Sequence, residues 1–169
     1  SADHQPVRFQ LGEGLRTRFG ASTFDKNVDA VRRNLDFDID DEVALAMLKE
    51  IDAWALEYIT THSERLLKKT LSRTEVENGY SPILKTYGSN SSCKTKLNIR
   101  GSRSATFWND KNEQILEPPA EGTWQENAYA PFVTIPQLWI MQGTFGLLLE
   151  TTALKIQVPA VTNPFAPKV

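Results

Sequence analysis

The stretch KTKLNIRGSRSATFWN, residues 94–109, places Lys94, Lys96 and Arg100 at alternate positions, adds Arg103, and runs into Phe107-Trp108. Alternate residues of a strand share a face, so these cations stand on one side while Thr95, Leu97 and Ile99 turn the other way. A row of fixed cations grips a polyanion, and an aromatic face beside it holds a flat ring by stacking. Because Phe107 and Trp108 are consecutive, one points inward and the other outward. Lys85 and Tyr87 repeat the pairing of cation and ring just upstream, and Trp139 is the next aromatic candidate, serving equally as core or platform. Trp124, flanked by Thr123 and Gln125, reads as an exposed loop ring that caps a groove. Taken alone, the basic row reads first as a solvated edge, since lysines also deter edge-to-edge strand pairing.

Charge distribution shifts that balance. The net charge is only −2, yet residues 36–57 hold eight acids against Lys49, whereas residues 63–103 hold nine bases against three acids. This asymmetry predicts segregated surfaces and an anionic partner for the middle of the chain.

Other chemistry finds little footing. No G-x-x-x-x-G-K-[ST] loop occurs, and Gly12-x-Gly14 is a lone glycine pair that reads as a turn. A single cysteine, Cys93, excludes an internal disulfide and is expected to be a plain surface thiol. Two distant histidines, His4 and His62, make neither a zinc site nor a Ser-His-acid triad. The acids Asp36–Glu42 invite a divalent-metal nuclease, but strand alternation and helix capping account for them. The expectation is therefore a non-catalytic protein that needs no metal or cofactor. No apolar run reaches the roughly 20 residues of a membrane span, and SADHQPVRF lacks a signal-peptide layout; the chain reads as intracellular.

The elements that must position these residues are legible in outline. VRFQL (7–11) reads as a short strand, with a second extended piece around Arg16–Phe19. Leu35, Phe37 and Ile39 alternate with Asp36, Asp38 and Asp40, a half-buried strand with an acidic outer face. Asp40 and Asp41 then start a helix through about Thr61, whose stripe of Ala44, Met47, Leu48, Ile51, Trp54, Ala55 and Tyr58 is read as core. Helical turns follow at Ser63–Leu71 and Ser72–Glu77. Extended runs are expected from Lys94, at 105–108, at Pro131–Met141, and at Thr144–Glu150 and Leu154–Val158, with a tight turn at Gln142-Gly143. Helices segregated from mostly antiparallel strands predict an α+β domain over residues 1–158, with a helical flank at about 40–78 and a proline-rich tail at 159–169.

The pieces YSPILK (80–85), CKTKLNIRG (93–101), ATFWNDKNEQI (105–115) and VTIPQLWIMQGTFGLLLETTALKIQ (133–157) together resemble the OB-fold single-stranded DNA-binding proteins of large DNA viruses, with relatives in bacteriophages. The resemblance implies an OB-like antiparallel β-barrel with flanking helices. It also implies sequence-nonspecific binding of single-stranded DNA during replication, recombination or repair, at viral replication sites in a host cell. RNA stays open as a second ligand, and self-assembly along the strand is a further implication. Matching positions for the strand are Lys94, Lys96, Arg100 and Trp139. Together with the residue-based candidates, the expected interface is Lys85, Tyr87, Lys94, Lys96, Arg100, Arg103, Phe107, Trp108 and Trp139. The rival reading is a structural or assembly β-protein whose basic strand is a subunit interface.

Overall fold

A computed structural model describes residues 7–157; the first six residues, Val158 and the proline-rich tail lie outside the described residues. The chain runs β1 (Arg8–Gln10), β2 (Arg32–Ile39), α1 (Glu42–Thr61), α2 (Ser63–Leu67), α3 (Arg73–Gly79), β3 (Tyr80–Ser81), β4 (Leu84–Tyr87), β5 (Asn90–Asn98), β6 (Thr106–Trp108), β7 (Gln114–Ile115), β8 (Ala128–Met141) and β9 (Thr144–Gln157). The strands form one curled sheet ordered β1-β8-β9-β5-β2, with β4 on β5, β3 and β6 on β9, and β7 on β6. The result is an OB-like α+β half-barrel. One correction concerns strand direction: β3, β5 and β6 all meet β9 in parallel, so the sheet is mixed.

The hairpin β8–β9 is the backbone of this sheet. Gln142 and Gly143 both take positive φ at its tip (50° and 82°), the handedness that matches strand twist in a two-residue turn. Register shifts at Phe132/Val133 and between Thr134 and Gln137 bend the hairpin, and Pro136 sits in the second of them, where a ladder donor is not needed. Inward residues alternate as the pattern requires. Leu35, Phe37 and Ile39 of β2 meet Cys93 and Leu97 of β5, and Phe107, Tyr129, Val133, Leu149 and Leu154 complete the core. Thr95 is also buried; its hydroxyl donates to the Leu35 carbonyl and meets the Thr151 hydroxyl, each at 2.8 Å.

α1 is capped by Asp41, whose carboxylate accepts from the Ala44 N–H at 2.9 Å. Its buried line is Ala44, Leu48, Ala55 and Ile59. Asp52, on the same side, accepts from the Tyr80 hydroxyl (2.6 Å) and the Ile83 N–H (2.9 Å), tying the helix to the start of β3 and β4. Trp54 lies roughly a third of a turn away from that line and is 60% exposed, not core. Trp124 is corrected in the opposite sense. It is buried on a single 3-10 turn, packed against Tyr129 at 5.9 Å, and its Cβ would be only 2.8 Å from a Cβ added at Gly20.

The segment expected to be extended at Arg16–Phe19 forms no strand; its neighbour Leu15 makes one isolated bridge to Tyr129. From there to Val31 the chain forms a long loop held by Arg33. This arginine is buried on β2, and its guanidinium donates to the carbonyls of Ala30 (2.7 Å), Ala21 (3.2 Å) and Val28 while pairing with Glu121 at 2.7 Å.

Candidate nucleic-acid interface

Cross-strand partners point to the same face, so strand register decides which candidates meet. Asn34, Asp36 and Asp38 of β2 stand opposite Lys96, Lys94 and Ser92 of β5. Lys85 of β4 stands on the other side of Ser92. Lys96 also faces Glu150 of β9, which faces Thr134 of β8, which faces Arg8 of β1. The outer surface of the half-barrel is therefore one continuous face from β2 to β1.

Most of the expected residues lie on it. Lys94 is exposed, and Lys96 is half-buried with its ammonium donating to the Asn34 amide oxygen. Lys85 donates to the Ser81 hydroxyl at 2.6 Å. Tyr87 is 67% exposed and shares a hollow of about 250 Å³ with Arg18, Phe19, Asp36 and Asp38. Trp139 is half-buried on the outer side of β8, lying over Gly146, where a Cβ would come within 2.9 Å of its ring. Arg100 and Arg103 occupy the exposed loop between β5 and β6, with Arg100 donating to the Asp29 carbonyl. Phe107 does not belong to the face: it is 2% exposed and part of the core. Its neighbour Trp108 turns outward, half-buried, with its indole N–H donating to Thr106 Oγ1 at 2.9 Å.

Residues that the sequence reading missed surround Trp108. An open groove of about 320 Å³ is lined by Trp108 and Phe132, the small side chains Ala130 and Ala153, the cations Arg8 and Lys155, and the acid Glu13. Trp108 stands directly opposite Lys155. Arg8 lies over the Phe132 ring at 5.2 Å, a cation–π contact that holds both side chains ready. Phe132 is 41% exposed. The available signal is its alternation against buried Tyr129, Pro131 and Val133. A groove with two rings, two small side chains and two cations against one acid can take an unpaired base with its phosphates alongside.

The electrostatics correct the expectation of segregated charge. Antiparallel pairing of β2 with β5 sets Asp36 and Asp38 among the lysines, and Arg32 pairs with Glu150 at 3.5 Å on the same face. Burial pushes the Asp36 carboxyl up from its ordinary value, against the opposing pull of Lys94 and Lys96, and one of its oxygens has no hydrogen-bond partner. Burial, with Lys94 and Arg32 nearby, lowers Lys96. Cys93 is corrected too. It is fully buried, and burial pushes its thiol up to about 12, so it stays protonated.

Asp36 yields a pH prediction. Its folded pKa exceeds the unfolded value, so the folded state binds the proton more tightly; the ionised form costs stability above that folded pKa, and the cost disappears as pH falls below the unfolded value. Asp36→Asn is expected to be more stable than wild type in urea at neutral pH, with the gap closing on acidification through the carboxylate range. The same substitution removes a negative charge from the outer face and should tighten oligonucleotide binding several-fold at low salt. Unchanged stability at pH 7 would show that the carboxylate is better solvated than its burial implies.

No family model matches the chain, and no curated protein matches it in sequence. Solved structures do match. Gp2.5, a single-stranded DNA-binding protein encoded by bacteriophage T7, superposes with a TM-score of 0.65 at 11% identity, covering 94% of this chain and 90% of its own. The single-stranded DNA-binding protein of bacteriophage Enc34 gives 0.57 at 10% identity, covering 94% and 84%. Its complex with single-stranded DNA gives 0.57 at 8% identity, covering 98% and 100%. Across almost its whole length, this chain has the curled OB-like fold of these two phage proteins.

Proposed function

We propose that this chain is a non-catalytic, sequence-nonspecific single-stranded DNA-binding protein of phage or viral type that covers unwound DNA during replication, recombination or repair. The observation that carries this reading is the meeting of Trp108 and Phe132 with Arg8 and Lys155 in one groove, on the same face as Lys94 and Lys96. The fold supports it independently, since the two phage proteins whose fold it shares are named for that activity. Bases stack on the two rings, sequence-tolerant because every base has a π-face. Phosphates track the cations from Arg8 towards Lys96, Lys94 and the Arg100–Arg103 loop. The acids interleaved among the cations keep the surface from being a general polyanion trap, and a duplex, whose bases are hidden, gains nothing from the rings.

Titration of labelled oligo-dT and of a duplex of equal length, each at 50 and 200 mM salt, tests this directly. The expected result is tighter binding of the single strand and affinity falling steeply with salt, by about 0.7 in log–log slope per phosphate contacted. Replacing Lys94, Lys96 and Arg100 together by alanine should flatten that slope by about 2. Absence of binding at low salt would sink the reading and favour a structural β-protein whose basic strand is an interface.

A further inference from the structure

α1 carries an aromatic ladder that the DNA reading does not use. Trp54 stacks on Tyr58 with centroids 5.1 Å apart and planes at 22°, and Tyr58 meets His62 at 4.5 Å. Arg65 donates to the Tyr58 hydroxyl at 2.8 Å, fixing the middle ring. Trp54 is 60% exposed and Tyr58 37%. Glu50 and Glu57, both exposed, border the ladder at helical spacing. Two acids against Arg65 leave the ladder mildly acidic, and it fits a segment that is apolar, planar-sided and basic.

The chain itself contains such a segment. Residues 164–168 read Pro-Phe-Ala-Pro-Lys, a P-x-x-P followed by a cation. A polyproline turn returns to the same edge every three residues, about 9 Å on, and P-x-x-P segments dock on aromatic-lined surfaces with little ordering cost. The outer rings of the ladder stand at most about 10 Å apart. A cation one residue past the second proline, as at Lys168, matches these acids in charge.

A second copy is the donor that the topology favours, because β9 carries the chain away from the α1 end of the sheet. Phe145, at the start of β9, packs in one cluster with Ala55 and Ile59 of α1. Gln157, where the described residues end, lies at the other end of β9, at most about 40 Å along this bent strand. Seven residues, from Gln157 to Pro164, span at most about 25 Å. We propose that the α1 ladder of one copy binds Pro164–Lys168 of a second copy. Because ladder and segment are different surfaces, two copies that exchange segments close as a dimer, and copies that do not exchange them extend as an open chain.

The test needs no DNA, so its failure is separable from failure of the DNA reading. A labelled peptide of residues 159–169 is titrated into the full chain, and self-association is followed by sedimentation. Expected are saturable peptide binding, weakened about tenfold or more by Trp54→Ala, and a mass that rises with protein concentration. That rise should vanish in Trp54→Ala and equally in the Pro164→Ala/Pro167→Ala double variant of the full chain, each with an unchanged melting curve. A concentration-independent monomer overturns the proposal, whether or not the peptide binds. So does peptide binding indifferent to Trp54, or self-association that survives loss of both prolines.

Discussion

Replacing Trp108 and Phe132 together by alanine is expected to weaken oligo-dT binding by about 2–4 kcal/mol, roughly 30- to 1,000-fold, because each stacked base contributes about 1–3 kcal/mol. Both rings line the groove, and neither is fully buried in the free protein. Their truncation should therefore leave the fold intact, with a thermal midpoint within a few degrees of wild type. The salt slope should also stay nearly unchanged, since the phosphate contacts remain. That separates loss of stacking from loss of charge: the Lys94/Lys96/Arg100 variant changes slope, and the ring variant changes affinity at every salt concentration. Trp108→Phe should recover most of the binding, as a smaller ring still offers a face. Arg8→Ala should lose less than either ring, its role being shared between a phosphate contact and holding Phe132.

The second large effect concerns stability. Arg33→Met is expected to cost about 3–4 kcal/mol in urea unfolding, because three carbonyls lose their donor in a buried site at about 1 kcal/mol or more each. Those carbonyls, from Ala21, Val28 and Ala30, belong to the loop between β1 and β2. Hydrogen exchange in residues 20–31 should quicken by a larger factor than in β8 and β9. Arg33→Lys should rescue little, since one ammonium cannot reproduce a fork that reaches three carbonyls and Glu121 at once. Glu121→Gln should cost clearly less, because that carboxylate is half-exposed and water replaces its partner. An Arg33→Met protein as stable as wild type would mean that the loop is satisfied by water, not by the guanidinium.

Local patterns revealed single elements well and their neighbours poorly. The alternation in residues 35–39 and 94–99 predicts both strands, and Asp41 and Ser72 mark helix starts that the structure places there. The order of these elements gives an α+β domain, and the family resemblance supplies its OB-like half-barrel. Periodicity carries no information on which strand lies beside which. The acids of β2 and the lysines of β5 read as two surfaces of opposite sign, whereas the Asp36–Lys94 register makes them one mixed surface. Parallel pairing of β6 with β9 likewise brings Trp108 to Lys155 across a long sequence separation, and antiparallel β1 and β8 bring Arg8 to Phe132. None of these meetings is encoded locally. On α1 the apolar stripe is wider than the face the helix buries, so Trp54 and Tyr58 share its period while standing outside the core. Phe107 and Trp108 are the clearest gain, since alternation alone says that they part, and burial tells which way.

The claim at the centre of this account is that the outer sheet face, and not α1 or the hairpin tip, holds the strand. Photocrosslinking with oligonucleotides carrying 5-iododeoxyuridine, read out by mass spectrometry, tests it residue by residue. The account predicts adducts on Trp108 and Phe132, lost when competing unlabelled oligo-dT is added and undiminished in Trp54→Ala. Adducts confined to Trp54 and Tyr58, or to Ile140 and Met141 at the hairpin tip, would contradict it.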